Sequence, residues 1–563
     1  MQLRYISVAA AAAGIGILSG CGDVLSVSNR TQPDVVRILS TADGIEGLFR
    51  SSFQQIHSAT NGSSTSLTPA LLSMAGESYA TVANFGMAQY SAIPRAVIDN
   101  GRGNQTAAEN FRDFSQLQRY TRNAANGIKA LDGFIEAGGS LGGPMENVRA
   151  RAWGFFIMGI GLGNVSLTYD QASVPTPAME GSEIPDLVPY GEVNTAALAY
   201  LDSALAQANL PDAAALSIPN DWFRTTAGAT SRADFIKLIH SYKARFRAGV
   251  ARTPAERDAV NWNEVAADAA AGITEDLVLD LSSSAGLTNP WLSQALVNST
   301  WSSVNPMYLG MSDTSGAYRR WIADPLEDLN SPARQVGGNP GAFFLFHTPD
   351  TRFPHGATRA EQIDDWDSHV EVNDMPTTYL RARAPGDDTQ GQVWGQSPYD
   401  IARFYAYRSN SSNGPWVLMD ATEIAMLRAE ADMRLNPGAP ALALELVNES
   451  RVRNGLPAFP AGSTRETRAP NHPGGGSFSC VPQTPTGGNR VVECGTLWEA
   501  MKYEKRLETL YTGYAQWFVD NRGWGDLVRG TPTMYPVPYQ EMDARVLPFY
   551  NSDWPAAVGT YDF

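Results

Sequence analysis

Two blocks of helical periodicity, separated by a long stretch without it, constrain this chain of 563 residues more than any other feature. The segment "YGEVNTAALAYLDSALAQA" places its apolar residues at the spacing of one helix face, at Tyr190, Val193, Ala197, Leu201 and Leu205. Most of residues 110–275 has this character. The first block is therefore predicted to form amphipathic helices.

Two further segments of the first block have features of their own. In "SRADFIKLIHSYKARFRAGVAR", Ser231 is a suitable N-cap, and the residues predicted to face inward are Phe235, Leu238, Ile239, Tyr242 and Phe246. The segment "RARAWGFFIMGIGLGNVSLTY" is apolar almost all round, which indicates a buried helix. Its four glycines are expected to weaken that helix; they are Gly154, Gly159, Gly161 and Gly163.

The second block begins at "DATEIAMLRAEADMRLNPGAPALALELVNESRVRNG". The turn Asn436-Pro437-Gly438 separates two periodic stretches, which predicts an antiparallel pair of helices that ends near Gly455. Such a pair cannot bury its apolar face alone, so it is expected to stack on other helices. Further on, Thr496 and Glu499 form a capping box, and the helix that follows is predicted to run to about Phe518.

The stretch between the blocks, residues 280–418, has little helical periodicity. Turn-forming residues are dense here, and the stretch contains five tryptophans: Trp291, Trp301, Trp321, Trp366 and Trp394. Long loops inside a compact protein are usually functional or disordered, and the tryptophan content favours ordered loops. We therefore expect ordered loops with short helices and one or two hairpins.

The N-terminus has the pattern of a secretory signal, with Arg4 followed by an uncharged apolar run from Ile6 to Leu18. The run is too short to span a bilayer as a retained helix. It ends in "LSGC", which resembles the bacterial lipobox. That resemblance implies a signal peptide of residues 1–20 and a lipid-carrying mature N-terminus at Cys21, with several acyl chains giving a firm anchor. Gly22 in the next position is compatible with export to the outer membrane.

The other two cysteines, Cys480 and Cys494, lie close together in a segment rich in glycine and proline. An exported chain meets an oxidising compartment, so we expect them to form a disulfide. The formal net charge of −16 excludes the basic stripe that nucleic-acid binding requires. It also argues against anionic lipid headgroups as the main attachment. No later run is long enough to cross a membrane.

Motifs of common enzyme classes are absent from the sequence. The six histidines show no H-E-x-x-H spacing, and there is neither a G-x-S-x-G elbow nor a P-loop. The segment "IDDWDSHVEVND" gathers Asp364, Asp365, Asp367, Glu371 and Asp374. We expect it to be a solvated acidic loop. Two alternatives remain for this segment. Its carboxylate oxygens could bind calcium, or a pair of its carboxylates could catalyse hydrolysis in a secreted glycoside hydrolase.

The C-terminal part of the chain contains three sets of residues in order: Glu423, Leu427, Ala429, Glu430 and Ala431, then Asn448, Arg451, Arg453 and Gly455, then Glu504, Arg506, Glu508, Gly513, Asp520, Arg522 and Gly523. Taken in this order, they resemble the motifs of the SusD/RagB family of surface lipoproteins. Lys505 and Thr512 depart from the family pattern, which indicates a divergent member. Since the charged residues Glu430, Arg451, Arg453, Glu504 and Arg506 belong to helices that pack together, we expect structural ion pairs rather than ligand contacts.

The resemblance implies a mainly α fold of tetratricopeptide-like helical hairpins packed with an irregular, loop-rich region. One SusD-like domain would span residues 21–563. Its helical scaffold would cover about 30–275 and 419–525, and its ligand-binding region about 280–418. The resemblance further implies no enzymatic activity and no cofactor, a glycan or peptide ligand, and a lid role on a SusC-like TonB-dependent transporter in the outer membrane. A helical scaffold lipoprotein of the cell envelope remains a further alternative.

Aromatic side chains are the ligand contacts that the resemblance suggests. An indole or phenol face is apolar and can stack on the C–H face of a sugar ring, whose hydroxyls then bond to polar side chains at the edge. Related proteins use aromatics of an early loop and of the irregular region. The candidates here are Tyr79, Phe85, Tyr90, Trp291, Trp301, Tyr308 and Trp321. A minority of these seven is expected to face a ligand, and the others to belong to the core.

Overall fold

A computed structural model describes residues 39–82, 86–104, 107–180, 183–296, 301–323, 345–369, 377–384, 397–473, 476, 479–486, 491–554 and 556–561. The labelled helices are α1 (Ala42–Thr60), α2 (Ala107–Glu136), α3 (Pro144–Thr168), α4 (Tyr190–Ala208), α5 (Arg232–Gly249), α6 (Trp262–Ala270), α7 (Ala421–Leu435), α8 (Ala441–Arg453), α9 (Leu497–Glu508) and α10 (Gln516–Trp524). The other α-helices of the described residues are Thr68–Met74, Met87–Ser91, Asn220–Phe223, Pro254–Asp258, Pro290–Ala295, Pro306–Leu309, Ala317–Ile322, Arg359–His369, Tyr405–Ser409 and Tyr539–Ala544. Helix is the main secondary structure, as predicted.

The strands are short and pair antiparallel, two by two, within the described residues. They are β1 (Ser78–Ala80), β2 (Gln171–Ser173), β3 (Leu187–Pro189), β4 (Ser217–Ile218), β5 (Thr230–Ser231), β6 (Leu277–Leu281), β7 (Ser302–Val304), β8 (Leu380–Ala382), β9 (Tyr399–Ile401), β10 (Gly414–Met419), β11 (Gln483–Thr486) and β12 (Val491–Cys494). The pairs are β1 with β7, β2 with β3, β4 with β5, β6 with β10, β8 with β9 and β11 with β12. Because β6 pairs with β10, the two ends of the irregular region meet.

Two helix starts are confirmed by their caps. The Ser231 hydroxyl accepts the backbone N–H of Asp234 at 3.2 Å, and the Thr496 hydroxyl accepts that of Glu499 at 3.4 Å. Each bond satisfies one of the amide groups that a helix N-terminus leaves without a partner. The residues predicted to face inward from α5 are all buried. Local sequence alone therefore predicted where both helices begin.

Helix α3 is continuous and buried, as its apolar pattern predicted. A Cβ on Gly161 would clash with Thr121 Oγ1 of α2, and one on Gly163 would clash with the Phe246 ring of α5. These glycines leave room for neighbouring side chains to pack directly against the helix backbone. The expected loss of helix propensity, about 1 kcal/mol per glycine, stays a prediction.

Helices α7 and α8 form the predicted hairpin, and α9 packs on both. The helix that begins at the capping box was predicted to run to about Phe518. This prediction was wrong, because α9 ends at Glu508. The chain then passes through left-handed backbone conformations at Tyr511 (φ 56°), Gly513 (φ 59°) and Ala515 (φ 60°). Two of these residues carry a side chain that disfavours this conformation. Gly513 is the one residue of these three whose type favours a break, and Tyr511 and Ala515 do not indicate it.

The charged residues of the C-terminal motifs form buried ion pairs, as expected. Arg257 Nη2 lies 2.6 Å from Glu430 Oε2, and both side chains are fully buried. Arg352 Nη2 lies 3.0 Å from Glu504 Oε2 in the same manner. Arg453 differs, since its side chain is 51% exposed where it meets Glu508.

Buried arginines also cap the C-termini of two helices. Arg252 donates to the carbonyl oxygens of Ser166, Leu167 and Tyr169 at the end of α3. Arg522 donates to the carbonyl oxygen of Gly249 at the end of α5 at 3.0 Å. A guanidinium group there satisfies unpaired carbonyls and interacts favourably with the helix dipole. These arginines are therefore structural.

Cys480 and Cys494 form a disulfide, with their Cα atoms 5.6 Å apart. Cys494 lies in β12 opposite Gln483 of β11, so the bridge closes the β11–β12 hairpin. Within the ranges given above, no helix combines the length and the apolar character needed to cross a membrane.

Candidate functional site

The β1–β7 pair brings the early loop and the irregular region together. Tyr79 lies opposite Ser303 in the register of this pair. The backbone N–H of Thr81 donates to the carbonyl oxygen of Trp301 at 2.8 Å, which extends the contact by one residue. Trp301 therefore lies beside the start of the early loop. The early loop and the irregular region, from which the ligand contacts were expected, meet at this point.

The predicted aromatic residues differ sharply in exposure. Trp301 is partly exposed. The other described candidates are almost inaccessible: Tyr79 is 4% exposed, Tyr90 6%, Trp291 2%, Tyr308 1% and Trp321 8%. Phe85 lies outside the described residues. Among the candidates that the structure describes, Trp301 is the one that is not buried.

Protein rings pack against the buried candidates. The ring pairs are Tyr90 with Tyr535 at 6.0 Å, Trp291 with Tyr511 at 5.7 Å, Tyr308 with Trp517 at 6.0 Å and Trp321 with Tyr318 at 6.0 Å between centroids. The first three pairs meet edge to face and the last is stacked, both of which are favourable aromatic geometries. These four candidates are therefore packed in the protein core.

Glu77 lies directly before β1 and is linked through Tyr511 to the β1–β7 strand pair. Its Oε1 accepts the backbone N–H of Tyr511 at 2.6 Å. Tyr511 in turn has its hydroxyl 3.2 Å from the hydroxyl of Ser302 in β7. Burial raises the pKa of Glu77 to about 8, although the Tyr511 amide and Arg403 act in the opposite direction. The carboxyl group is therefore mostly neutral at pH 7.

A buried ionic network connects the irregular region with α7 and α9. Arg403 Nη2 lies 2.7 Å from Asp420 Oδ2, and Arg352 Nη1 lies 3.0 Å from Glu508 Oε1. Burial raises the pKa of Asp420 to about 7. For Glu508 the effect of burial is outweighed by Arg352 and Arg403, which lower its pKa to about 2. These groups satisfy one another, so the network acts as a rigid support and not as an acid–base pair facing a ligand.

The acidic stretch does not begin as the predicted solvated loop, because Asp364 and Asp365 lie in the helix Arg359–His369. Glu361 favours that helix start, since its carboxylate accepts the backbone N–H groups of Ala357 and Thr358 at 2.7 and 2.9 Å. Trp366 then packs edge to face on Tyr405 at 5.2 Å.

The remaining acidic residues do not complete a site in the structure. Glu371 and Asp374 lie outside the described residues, so the carboxylate pair of a hydrolase stays a prediction. In the part of the chain that the structure describes, no three His, Cys, Asp or Glu side chains are grouped to hold a metal ion. Calcium binding likewise stays a prediction.

Two adjoining clefts on the helical side were not predicted from the sequence. One, of 270 Å³, is bordered by segments 225–230, 234–238 and 273–278, and the other, of 220 Å³, lies between α6, α7 and α8. They meet at Ile273 and Thr274. Neither is lined by an aromatic residue, so neither offers a stacking surface. Because their polar residues lie on loops and helix ends, the sequence pattern did not distinguish them from ordinary surface.

Cys21 and the signal peptide lie outside the described residues, so lipid attachment stays a prediction.

No protein-family model and no curated protein sequence matches the chain. Solved structures do. A SusD superfamily protein from Parabacteroides distasonis ATCC 8503 is 12% identical, with 91% of this chain and 99% of that chain covered and a TM-score of 0.56. A SusD homolog from Bacteroides thetaiotaomicron VPI-5482 is 11% identical, with 93% and 99% covered and a TM-score of 0.54. A laminarin-binding SusD-like protein is 12% identical, with 91% and 99% covered and a TM-score of 0.50.

The protein therefore has the SusD fold, and the likeness extends over nearly its whole length. The resemblance seen in the C-terminal motifs and the mainly α fold class are confirmed. At this level of identity the likeness establishes the fold alone.

Proposed function

We propose that the protein is an outer-membrane lipoprotein that binds an oligosaccharide at the cell surface and delivers it to a SusC-like TonB-dependent transporter, on which it acts as a lid. It performs no covalent chemistry and needs no cofactor. Acyl chains on Cys21 hold it in the membrane. The sequence supports the anchor through its lipobox, and the fold supports the class.

The observation that carries the ligand proposal is the full-length likeness to SusD-like structures, one of which is described as laminarin-binding. The site supports it in this chain's own residues. Trp301 is partly exposed, and its backbone carbonyl accepts the Thr81 amide. A sugar ring that stacks on its indole would bury apolar surface of both groups.

The test is a binding titration of the purified protein against a panel of polysaccharides and oligosaccharides. We expect one glycan to bind, and Trp301→Ala to weaken that binding by about 5- to 150-fold, because stacking on an aromatic ring contributes on the order of 1–3 kcal/mol.

The matched control is Trp498→Ala. Trp498 is also partly exposed, but it lies on α9 next to Arg434 and Arg465, whose guanidinium groups are 4.9 and 4.0 Å from its ring centroid. Its replacement should leave glycan affinity unchanged. Release of reducing ends during the titration would contradict the proposal and favour the hydrolase, and equal losses in both variants would argue against Trp301 as a contact.

A further inference from the structure

More than half of the large apolar side chains that are exposed in the described residues lie on three neighbouring segments. The segments are 97–102, 183–186 and 545–558 without residue 555, here called the C-terminal apolar surface. Its most exposed side chains are Val97 (52%), Ile184 (74%), Val546 (91%), Leu547 (45%), Trp554 (40%) and Val558 (63%). Clustering of this kind marks an interaction site, because apolar side chains of a monomer are otherwise scattered.

Hydrogen bonds hold the three segments together. The Asn100 side-chain amide donates to the carbonyl oxygens of Val537 and Tyr550 at 2.8 and 3.0 Å. Arg545 Nη1 donates to the carbonyl oxygen of Pro185 at 2.9 Å, which joins the residue after Ile184 to the residue before Val546. The surface is therefore formed before any partner binds, so little conformational entropy is lost on docking.

The backbone at the centre of the surface is strained. Val546 has φ 60°, a left-handed conformation that is a genuine outlier for a β-branched residue. Its side chain is 91% exposed, so packing within the described protein does not explain why valine is there. Strain of this kind is found where a residue serves an interaction.

The border of the surface is acidic. Four exposed carboxylates, Asp99, Glu183, Asp186 and Asp553, form no ion pair with any described residue. The three segments contain two arginines, and each is paired with a carboxylate, Arg102 with Asp543 at 2.5 Å and Arg545 with Glu541 at 2.7 Å. An uncompensated negative border repels the anionic headgroups of a bilayer. It equally disfavours a second copy of this chain, whose own border would be negative.

We propose that the C-terminal apolar surface docks a partner protein whose contact surface is apolar at its centre and bordered by lysine and arginine. The identity of this partner, the transporter, is taken from the proposed function, and in this respect the inference rests on that function. It adds which surface of this chain meets that partner and which charges the partner must present.

The experiment measures binding of the full-length lipoprotein to the transporter, with both proteins co-expressed, purified in mild detergent and then titrated. In one variant, Val546→Asn/Trp554→Ala, asparagine tolerates the left-handed backbone. We expect its affinity to fall at least tenfold while its thermal unfolding midpoint stays the same or rises. The charge-reversal variant Asp186→Lys/Asp553→Lys should weaken binding by a similar factor, and more strongly at low salt.

The matched control is Val452→Asn, at an exposed valine (59%) on α8, outside the surface. It should bind as the wild type does. If the wild type binds and both surface variants bind equally well, this inference fails and the proposed function stands. If the wild-type chain does not bind the transporter at all, both fail. Self-association or vesicle flotation that Val546→Asn abolishes would also overturn the inference.

Discussion

Glu77 combines full burial with a position directly before the strand that carries the candidate site. Its ordinary pKa is near 4.5, and burial raises the pKa to about 8. The folded protein therefore favours the neutral carboxyl group. The contribution of this residue to the free energy of unfolding is full below pH 4.5 and is lost as the pH rises towards 8.

The variant Glu77→Gln keeps an acceptor for the Tyr511 amide and cannot ionise. We expect its unfolding free energy to fall less between pH 5 and 8 than that of the wild type, with a difference on the order of 3 kcal/mol at pH 7. Urea unfolding at several pH values measures this difference. Asp113 and Asp420 titrate in both proteins, so their effects cancel. Parallel pH profiles would contradict the burial argument.

Individual residues also show where prediction from sequence reached its limit. Ser231 and Thr496 were assigned correctly because a cap depends on residues three positions away. Trp291 and Trp301 have no comparable local signal. Trp291 is buried because Tyr511, far along the chain, packs against it. Which aromatic residue of the irregular region stays exposed is thus decided by long-range packing.

Helix α7 depends on the Glu430 carboxylate, which balances two cations. Arg257 Nη2 lies 2.6 Å and Arg434 Nη2 3.0 Å from its oxygens. Burial opposes ionisation, but these cations lower the pKa of Glu430 to about 2. The Glu430→Ala variant leaves Arg257 buried without a full counter-charge, so we expect a loss of about 3–5 kcal/mol in guanidinium unfolding.

An exposed pair provides the comparison for that loss. Arg50 lies 3.2 Å from Asp221, and both side chains are about half exposed, at 53% and 50%. Arg50→Ala should cost less than about 1 kcal/mol, since solvent screens the pair. A loss in Glu430→Ala no larger than in Arg50→Ala would show that the buried pair contributes little to stability.

The β11–β12 hairpin relies on the Cys480–Cys494 disulfide, which spans 14 residues. A bridge of this span stabilises a protein by about 3 kcal/mol in the chain-entropy account. We expect the Cys480→Ser/Cys494→Ser variant to lose about that much, measured by guanidinium unfolding under oxidising conditions. Treatment of this variant with a reductant should change nothing further, whereas the same treatment should destabilise the wild type.

Elements with a local code were predicted well, and those without one were not. The turn between α7 and α8 is predicted by the turn-forming residues Asn436-Pro437-Gly438. The break after α9 involves Tyr511 and Ala515 in left-handed conformations, which tertiary contacts impose. The acidic stretch was predicted to be a loop because its many charges obscure the helical pattern. Part of it lies in the helix Arg359–His369, in which Trp366 packs against Tyr405.

For the whole molecule, the sequence predicted the architecture because helical periodicity and the ordered C-terminal motifs are spread along the chain. The membrane anchor is a separate matter. We expect Cys21→Ala to move the protein from the outer-membrane fraction to a soluble or signal-retained form, because a single apolar run without acyl chains anchors weakly. Fractionation with metabolic labelling by a fatty acid measures this. Unchanged labelling of Cys21→Ala would contradict lipid attachment at this cysteine.

The β1–β7 pair joins residues that lie more than two hundred positions apart in the chain. Just over half of the chain must therefore be synthesised before Trp301 can meet Thr81. A nonsense mutation or a proteolytic cut between them leaves no single fragment that contains both residues. The candidate site is thus a property of a chain that contains both segments.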